Sequence, residues 1–217
     1  MIVETDEWVT LLGAGEVTAA SLAEALTLAP ILVAADGAAA QALGFGHLPA
    51  AVIGDLDSIT PAARAKIPPD RLHPLAEQDS TDFDKCLRNI RAPLVLGVGF
   101  AGARLDHELA AYNALVRHRD RRCILIGPVD ICFHAPPELA LDLPAGTRFS
   151  LFPLAAVTGR SAGLRWPIAG LGFAPDGRIG TSNCVDGPLR LAFDGPGMLA
   201  ILPREHLPMV AATLAAQ

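Results

Sequence analysis

The strongest constraint on the fold is a regular alternation of short apolar runs and helix-like segments through residues 1–136. Most of the runs are apolar at every position, whereas a strand with one solvent-exposed face alternates apolar and polar residues. Apolar strands separated by helices are typical of a parallel sheet that is covered on both faces. We therefore predict an α/β unit with a Rossmann-like parallel sheet and helices on both faces, with strands at residues 8–12, 31–35, 51–53, 72–75, 94–98 and 123–126.

Helices are predicted between these strands from start signals and apolar periodicity. Ser21, followed three residues later by Glu24, has the pattern of a capping box for a helix that ends before Pro30. Pro61 after Thr60 is typical of a first helical position. The predicted helices cover residues 21–28, 38–43, 82–90 and 106–116, and a further helix opens at residue 60.

The residue composition and the apolar periodicity of the sequence change from residue 139 onward. Gly, Pro and β-forming residues dominate there, and helix-length periodic segments return only near the end of the chain. Turn signals separate short candidate strands at residues 148–152, 189–193 and 198–202. We predict a small C-terminal β-sandwich domain at residues 137–217, after an α/β domain at residues 1–136, with the boundary at Pro136-Pro137.

Composition and charge narrow the classes of function. The 217 residues carry a net charge of −6, whereas a general nucleic-acid binder usually presents a basic face. No apolar run reaches the ~18 residues of a membrane span, and the first residues lack the basic and apolar regions of a secretory signal. The four cysteines form no C-x-x-C pair, which favours buried free thiols in a reduced compartment. We therefore expect a cytoplasmic protein without a nucleic-acid or membrane partner.

Acidic residues follow two of the predicted strands. Asp36 follows the second strand, and Asp55 and Asp57 follow the third. In an open parallel sheet the carboxyl ends of the strands form the ligand crevice, so we expect these carboxylates to cluster there. Two aspartates at i and i+2 suit a divalent cation such as Mg²⁺ if an extended backbone places both on one face. The alternative is an ordinary loop that ends in a helix N-cap at Ser58.

A second polar cluster, residues 77–82, precedes the helix predicted at residues 82–90. Ser80 or Thr81 can serve as the N-cap of that helix, and an acid such as Asp82 is favoured in its first turn. A helix N-terminus also binds phosphate, so the structural and the functional interpretation can hold together.

A third cluster, residues 99–107, follows the next predicted strand. Arg104 could hold a phosphate through its forked guanidinium group. Asp106 could start the helix or approach a metal, and His107 could cap or pack. The chain has no G-x-x-x-x-G-K-[ST] motif and only two lysines. Phosphate charge must therefore be met mainly by arginine, backbone amides and metal.

Taken in order, these motifs resemble the thiamine pyrophosphokinase family. The resemblance extends over most of the chain, and its specificity comes from the set in this order, since each motif alone is modest. The matching segments are Ala35-Asp36-Gly37, Ile53-Gly54-Asp55-Leu56-Asp57-Ser58, Gln78-Asp79-Ser80-Thr81-Asp82-Phe83-Asp84-Lys85-Cys86-Leu87, Gly102-Ala103-Arg104-Leu105-Asp106-His107, Gly163-Leu164-Arg165-Trp166-Pro167-Ile168 and Thr181-Ser182-Asn183.

The resemblance implies a fold, an activity and a set of site residues. The family joins an N-terminal α/β domain that binds ATP and Mg²⁺ to a C-terminal β-sandwich, in a homodimer whose thiamine sites lie between subunits. It transfers diphosphate from ATP to the thiamine hydroxyl and releases AMP. By resemblance, the metal and catalytic residues are Asp55, Asp57 and Asp82; the nucleotide and diphosphate residues are Asp36, Gln78, Thr81, Arg104 and Asp106; and the residues that approach thiamine are Ser182 and Asn183.

The sequence departs from the family pattern at two places. Residues 38–40 are all alanine where the family usually reads Gly-Ala-Asn, and Phe100 and Ala103 stand where smaller residues or glycine are usual. These departures affect the expected nucleotide contacts and leave every proposed metal carboxylate in place. Trp166 either packs inside the sandwich or contacts the substrate.

Two other functions compete with this interpretation. One is diphosphate transfer to another alcohol, such as a hydroxymethylpterin, although the β-rich second half favours thiamine. The other is a nucleotide-binding module without activity, which would bind ATP and release no AMP.

Overall fold

The computed structural model describes residues 1–102 and 104–217, so Ala103 lies outside the described residues. The chain forms two compact units. The first comprises Met1–Ala114 and Leu125–Gly127, and the second comprises Leu115–Ile124 and Pro128–Gln217. The boundary predicted at Pro136-Pro137 lies within the second unit, and the division into domains at that point stays a prediction.

Each strand predicted for the first half is present within one residue of its expected bounds. The helices are α1 (Ala19–Leu28), α2 (Ala39–Gly44), α3 (Pro61–Arg64), α4 (Asp82–Asn89), α5 (Leu105–Arg117) and α6 (Leu207–Ala215). The strands are β1 (Val3–Glu4), β2 (Val9–Leu12), β3 (Ile31–Ala35), β4 (Ala51–Gly54), β5 (Leu72–Pro74), β6 (Ile90–Arg91), β7 (Val95–Val98), β8 (Cys123–Ile126), β9 (Asp130–His134), β10 (Glu138–Leu141), β11 (Arg148–Pro153), β12 (Val157–Leu164), β13 (Gly172–Phe173), β14 (Gly180–Phe193) and β15 (Met198–Pro203). No described helix has the length and apolarity that a membrane crossing requires.

Five strands of the first unit form a parallel sheet in the order β7-β2-β3-β4-β5. Successive residues of a strand point to opposite faces of a sheet. Every residue of β2, β4 and β7 is buried, so both faces are covered. Helix α1 packs on β2 and β7, and α4 packs on β3 and β4. The prediction of parallel N-terminal strands with helices is confirmed.

The strand order reverses direction at β2. The chain proceeds outward through β3, β4 and β5 and then returns to β7 on the other side of β2. The loops after β2 and β7 meet there, since the Gly13 amide donates to the Val98 carbonyl at 2.8 Å and the Gly15 amide donates to the Gly99 carbonyl at 3.0 Å. Ligands of open α/β sheets bind outside the carboxyl ends of the strands at such a reversal.

Helix α1 shows where a sequence prediction was wrong. The helix begins at Ala19, and Thr18 is its N-cap. The Thr18 hydroxyl accepts from the Ser21 amide and the Ser21 hydroxyl accepts from the Thr18 amide, both at 3.1 Å. The capping box is therefore Thr18 with Ser21, because a serine hydroxyl fills the role that was assigned to a Glu side chain. The start of α3 at Pro61, with Thr60 as N-cap, is confirmed.

The strands of the second unit pair antiparallel. Strands β9, β15, β11 and β14 are neighbours in that order. The 14-residue strand β14 pairs with β11 through its first half and with β12 and β10 through its second half. The predicted C-terminal β region is confirmed, although only residues 189–193 of β14 were foreseen. Residues 180–188 contain Gly, Ser, Asn and Pro, which strands disfavour.

All four cysteines are free thiols, as predicted. Cys86, Cys123 and Cys132 are buried, and Cys184 is partly exposed. Burial raises the pKa of the Cys86 and Cys123 thiols, which keeps them protonated and inert.

Candidate active site

A crevice of about 480 Å³ lies at the carboxyl ends of the parallel strands in the first unit. Its walls come from the loops after β2, β3, β4 and β7 and from the start of α4. Five residues that were predicted from the sequence line it: Asp55, Gln78, Thr81, Asp82 and Arg104.

Three carboxylates converge beside this crevice. One oxygen from each of Asp36, Asp55 and Asp57 lies within 4.8 Å of the others. Asp36 is only 1% exposed; its Oδ2 accepts from the Ser58 amide at 3.2 Å, and its buried Oδ1 has no hydrogen-bond partner among the described residues. Hard divalent cations such as Mg²⁺ take carboxylate oxygens as ligands. A donor set of three carboxylates with an unpartnered buried oxygen therefore fits Mg²⁺.

The backbone brings these carboxylates together in a way the sequence did not reveal. A Cβ at Gly54 would lie 2.5 Å from the Asp36 Cβ, so only glycine lets the end of β4 approach β3 this closely. Leu56 has φ 62° and its side chain is buried. The chain therefore turns between Asp55 and Asp57, whereas the sequence argument placed both on one face of an extended segment. The Asp57 amide donates to Asp55 Oδ1 at 3.4 Å within this turn.

The environment moves the pKa values of two of these carboxyls in opposite directions. Burial, with the nearby Asp55 and Asp82 carboxyls, raises the pKa of Asp36, and the Ser58 amide opposes that rise. Burial would also raise the pKa of Asp55, but hydrogen bonds from the Asp57 amide and the Gln78 amide, together with the neighbouring Asp36 carboxyl, outweigh it and lower the pKa. Asp36 is therefore the carboxyl that keeps a proton to higher pH in the metal-free protein.

A buried lysine connects this cluster to Asp82. Lys85 is 2% exposed, and its Nζ lies 3.7 Å from Asp55 Oδ2 and 3.5 Å from Asp82 Oδ1. Asp82 thus lines the crevice across Lys85 from the three-carboxylate cluster, and its role as a metal ligand stays a prediction. Sequence analysis did not select Lys85 as a site residue. Its position three residues after Asp82, on the same side of α4, is the signal that could have found it.

The loop before α4 is fixed by hydrogen bonds. Thr81 is the N-cap, because its hydroxyl accepts from the Asp84 amide at 3.3 Å. Gln78 donates to Asp55 Oδ2 at 3.3 Å. Glu77 accepts from the Ser80 hydroxyl and from Arg88, and these contacts lower its pKa. The loop therefore presents Gln78 and Thr81 in a set geometry.

Arg104 is paired in this structure. Its Nε and Nη2 lie 3.1 Å and 2.6 Å from the two carboxylate oxygens of Asp106. Both side chains are about two-thirds exposed, and α5 begins at Leu105, so Asp106 does not cap it. His107 lines the crevice. Arg104 also lines the crevice, and Asp106 is bound to it without lining the crevice itself.

The end of β7 and the loop after it carry a G-x-G-x-x-G motif, and the interpretation of the sequence as lacking this motif was wrong. Gly97 lies within β7, and Gly99 and Gly102 lie between β7 and α5. A strand before and a helix after such glycines are the context in which they let a backbone approach a diphosphate. Phe100, in the same loop, lines the crevice and packs on Phe83 with ring centroids 4.6 Å apart.

Ser182 and Asn183 lie in the second unit and do not line this crevice. Asn183 Oδ1 accepts from the Trp166 amide at 3.2 Å, and Asn183 Nδ2 donates to the Trp166 carbonyl at 2.7 Å. Its side chain is therefore committed to holding the Trp166 backbone. Trp166 is 56% exposed, so of its two alternatives the one in which it packs inside the sandwich does not hold.

Comparisons with known proteins show what this chain is similar to. Residues 22–126 match the family model described as "Thiamin pyrophosphokinase, catalytic domain". The curated "Thiamine pyrophosphokinase 1" of Oryza sativa subsp. japonica is 27% identical over 159 residues, which are 64% of this chain and 60% of the relative. "Thiamine pyrophosphokinase 1" of Arabidopsis thaliana is 28% identical over 125 residues, 50% of this chain and 47% of the relative. The chain thus spans about half to three-fifths of the curated relatives it matches.

The structure of "Thiamin pyrophosphokinase from Candida albicans" has the same fold, with a TM-score of 0.76 at 14% identity, covering 93% of this chain and 92% of that one. Fold and site together define an α/β protein with an acidic, cation-fitting crevice at the reversal of a parallel sheet, followed by an antiparallel β region. The chain is similar to the thiamin pyrophosphokinase family, whose catalytic-domain model matches its residues 22–126.

Proposed function

We propose that this protein transfers a diphosphate group from ATP to the hydroxyl of thiamine, giving thiamine diphosphate and AMP. The observation that carries the proposal is the gathering of three carboxylates, Lys85 and Gln78 around one crevice of the first unit. This arrangement occurs within the segment that matches the catalytic-domain model of the family. Diphosphate transfer needs positioning and charge neutralisation rather than covalent catalysis, and the crevice offers both.

Asp36, Asp55 and Asp57 are the residues that would hold Mg²⁺, and we propose Asp82 as a further ligand once a nucleotide is present. Bound there, the ion would neutralise phosphate charge and fix the phosphate oxygens. Asp36 belongs to this set because its buried Oδ1 lacks a protein partner. Sequence analysis had assigned it to the nucleotide.

The remaining crevice residues would bind the diphosphate. Lys85 and Arg104 supply positive charge, and the glycine loop after β7 supplies backbone amides. The thiamine hydroxyl oxygen attacks the β-phosphorus in line, the bond to the oxygen that bridges the α- and β-phosphorus breaks, and AMP leaves with that electron pair. The hydroxyl proton passes to a crevice carboxylate. Gln78 and Thr81 orient the loop that faces the reacting groups.

For thiamine binding we propose Ser182 and Trp166, with Asn183 acting through the Trp166 backbone that it holds. An exposed aromatic ring whose backbone is fixed on both sides is a suitable platform for the flat, cationic ring system of thiamine. We further propose a homodimer in which the thiamine site combines the crevice of one subunit with the second unit of its partner.

The activity is tested by incubating the purified protein with thiamine, ATP and Mg²⁺ and resolving the products. AMP and thiamine diphosphate in equal amounts, lost with EDTA, support the proposal. ADP with thiamine monophosphate would contradict it, as would turnover of a hydroxymethylpterin in preference to thiamine. ATP binding without AMP release would favour the inactive nucleotide-binding module.

The shared site is tested by mixing Asp57→Asn with Trp166→Ala, at a thiamine concentration so low that neither variant alone shows turnover. Heterodimers of these chains contain one intact site if the two residues act across subunits. Recovery of activity on mixing supports the shared site, and a mixture as inactive as its components contradicts it. A mixture of Asp57→Asn with Asp55→Asn is the matched control, because both defects lie in the same crevice.

A further inference from the structure

The second unit contains a cleft larger than the crevice. Its volume is about 680 Å³, which is in the range of sites for small organic ligands. The cleft lies between the segment that leads into β8, the end of β9, the β14–β15 turn and the end of α6. None of its lining residues belongs to the crevice described above.

The cleft has two chemically different walls. One wall is apolar and comes from Ala135, Phe193 and Leu214, which are all buried. The other wall is basic and comes from Arg119, Arg121 and Arg122. A ligand that satisfies both walls carries an organic part at one end and negative charge at the other.

The basic wall is only partly neutralised by the protein. Two carboxylates, Asp120 and Asp194, also line the cleft. Asp120 pairs with Arg121 at 3.6 Å, and Asp194 accepts from the Thr158 hydroxyl at 2.7 Å. Within residues 1–102 and 104–217, Arg119 and Arg122 have no carboxylate partner within 4.0 Å. In a chain with a net charge of −6, three arginines within four residues facing one cleft are a local excess of positive charge.

A histidine in the wall adds a neutral donor. His134 Nε2 accepts from the Gly197 amide at 3.0 Å, so the neutral ring carries its proton on Nδ1. Burial, together with the charge of Arg119, lowers the pKa of His134 and keeps the ring neutral near pH 7. The charge that a ligand meets in the cleft therefore comes from the arginines.

We propose that this cleft binds a small organic phosphate or diphosphate, with its phosphoryl oxygens on Arg119 and Arg122 and its organic part against Phe193 and Leu214. Guanidinium groups match phosphate in charge and in the geometry of paired hydrogen bonds. The proposal does not depend on the activity proposed for the crevice, because the residues involved are different.

The test uses inorganic pyrophosphate as the probe, in EDTA, with binding followed by calorimetry. We expect saturable binding to the wild type. The affinity should fall at least about tenfold in the Arg119→Gln/Arg122→Gln double variant, because loss of one hydrogen bond to a charged group already lowers affinity by about that factor. Both side chains are exposed, so the variant should keep the wild-type melting temperature. The Arg178→Gln variant, which removes an exposed arginine outside the cleft, should bind as the wild type does.

The Arg104→Gln variant separates the two sites. It removes a cation from the crevice, and pyrophosphate binding in EDTA should not change. Binding that is absent in the wild type, unaffected by the Arg119→Gln/Arg122→Gln double variant or lost in Arg104→Gln would overturn the proposal. In a second arm, an adenosine or thiamine diphosphate should bind more tightly than pyrophosphate; an equal or weaker affinity would overturn the role given to the apolar wall.

Discussion

Replacing Asp36 by Asn should stabilise the metal-free protein and abolish its response to Mg²⁺. Asp36 Oδ2 accepts from the Ser58 amide, and an Asn oxygen can take over that contact. Asp36 Oδ1 is buried without a partner, and the Asn amide nitrogen would occupy its place. That nitrogen can donate to a neighbouring carboxylate, because one oxygen from each of Asp36, Asp55 and Asp57 lies within 4.8 Å of the others.

The expected gain follows from these contacts. A buried polar group without a hydrogen bond costs about 1–3 kcal/mol, and a new neutral hydrogen bond contributes about 0.5–1.5 kcal/mol. The substitution removes this cost only from molecules in which Asp36 is ionised. We therefore expect the free energy of unfolding to rise by about 1–2 kcal/mol at pH 7. For a chain of this size the melting temperature should rise by roughly 3–6 °C.

The gain should depend on pH with a definite sign. The pKa of Asp36 is raised in the folded state, so the folded protein holds the proton more tightly than the unfolded chain does. Wild-type stability from this group is therefore present below the unfolded pKa of about 3.9 and is lost as pH rises through the folded pKa. Asn cannot ionise, so the variant does not lose stability at this position as pH rises. The two melting temperatures should be close at low pH and should separate as pH rises.

Thermal melts with and without Mg²⁺ provide the decisive comparison. A ligand that binds only the folded state stabilises it in proportion to the logarithm of its concentration. Wild type should gain stability with Mg²⁺, and Asp36→Asn should not. A variant that is less stable than wild type in EDTA at pH 7, or one that keeps the full gain with Mg²⁺, would refute the reasoning.

Three further substitutions test other parts of the site. Asp57→Asn should abolish turnover and leave the melting temperature unchanged, because the side chain is exposed; normal steady-state activity would remove it from the site. Lys85→Met removes a buried cation between two carboxylates and should cost about 2 kcal/mol, seen as a melting temperature lower by roughly 4–8 °C, while exposed Lys66→Met should have no effect. Trp166→Ala should raise KM for thiamine and leave KM for ATP unchanged; the opposite pattern in initial-rate kinetics would contradict the platform role.

The sequence predicted the first unit well because its signals there are local. An uninterrupted apolar run such as residues 31–35 has one stable environment, a strand that is buried on both faces. Asp36, Asp55 and Asp57 could be placed at one edge of the sheet because that edge follows directly from strand order. These predictions needed no knowledge of side-chain packing.

The parts that were missed depend on contacts between distant residues. The turn at Leu56 forms because its side chain is buried, which no local pattern reports. The residue type of Trp166 left packing and substrate contact both open, and the hydrogen bonds from Asn183 that hold its backbone have no local sequence signal. The first half of β14 was not predicted, because its residues have poor strand propensity and form a strand only through tertiary pairing with β11.

The contact between the loops after β2 and β7 limits which amino-acid substitutions this protein can accept. A Cβ on Gly13 would lie 2.6 Å from the Gly99 carbonyl oxygen, and a Cβ on Gly99 would lie 2.7 Å from the Gly13 carbonyl oxygen. Both positions already have the smallest possible residue. A substitution at either one therefore has no compensating substitution at the other, and two positions 86 apart in the chain are constrained as a single unit.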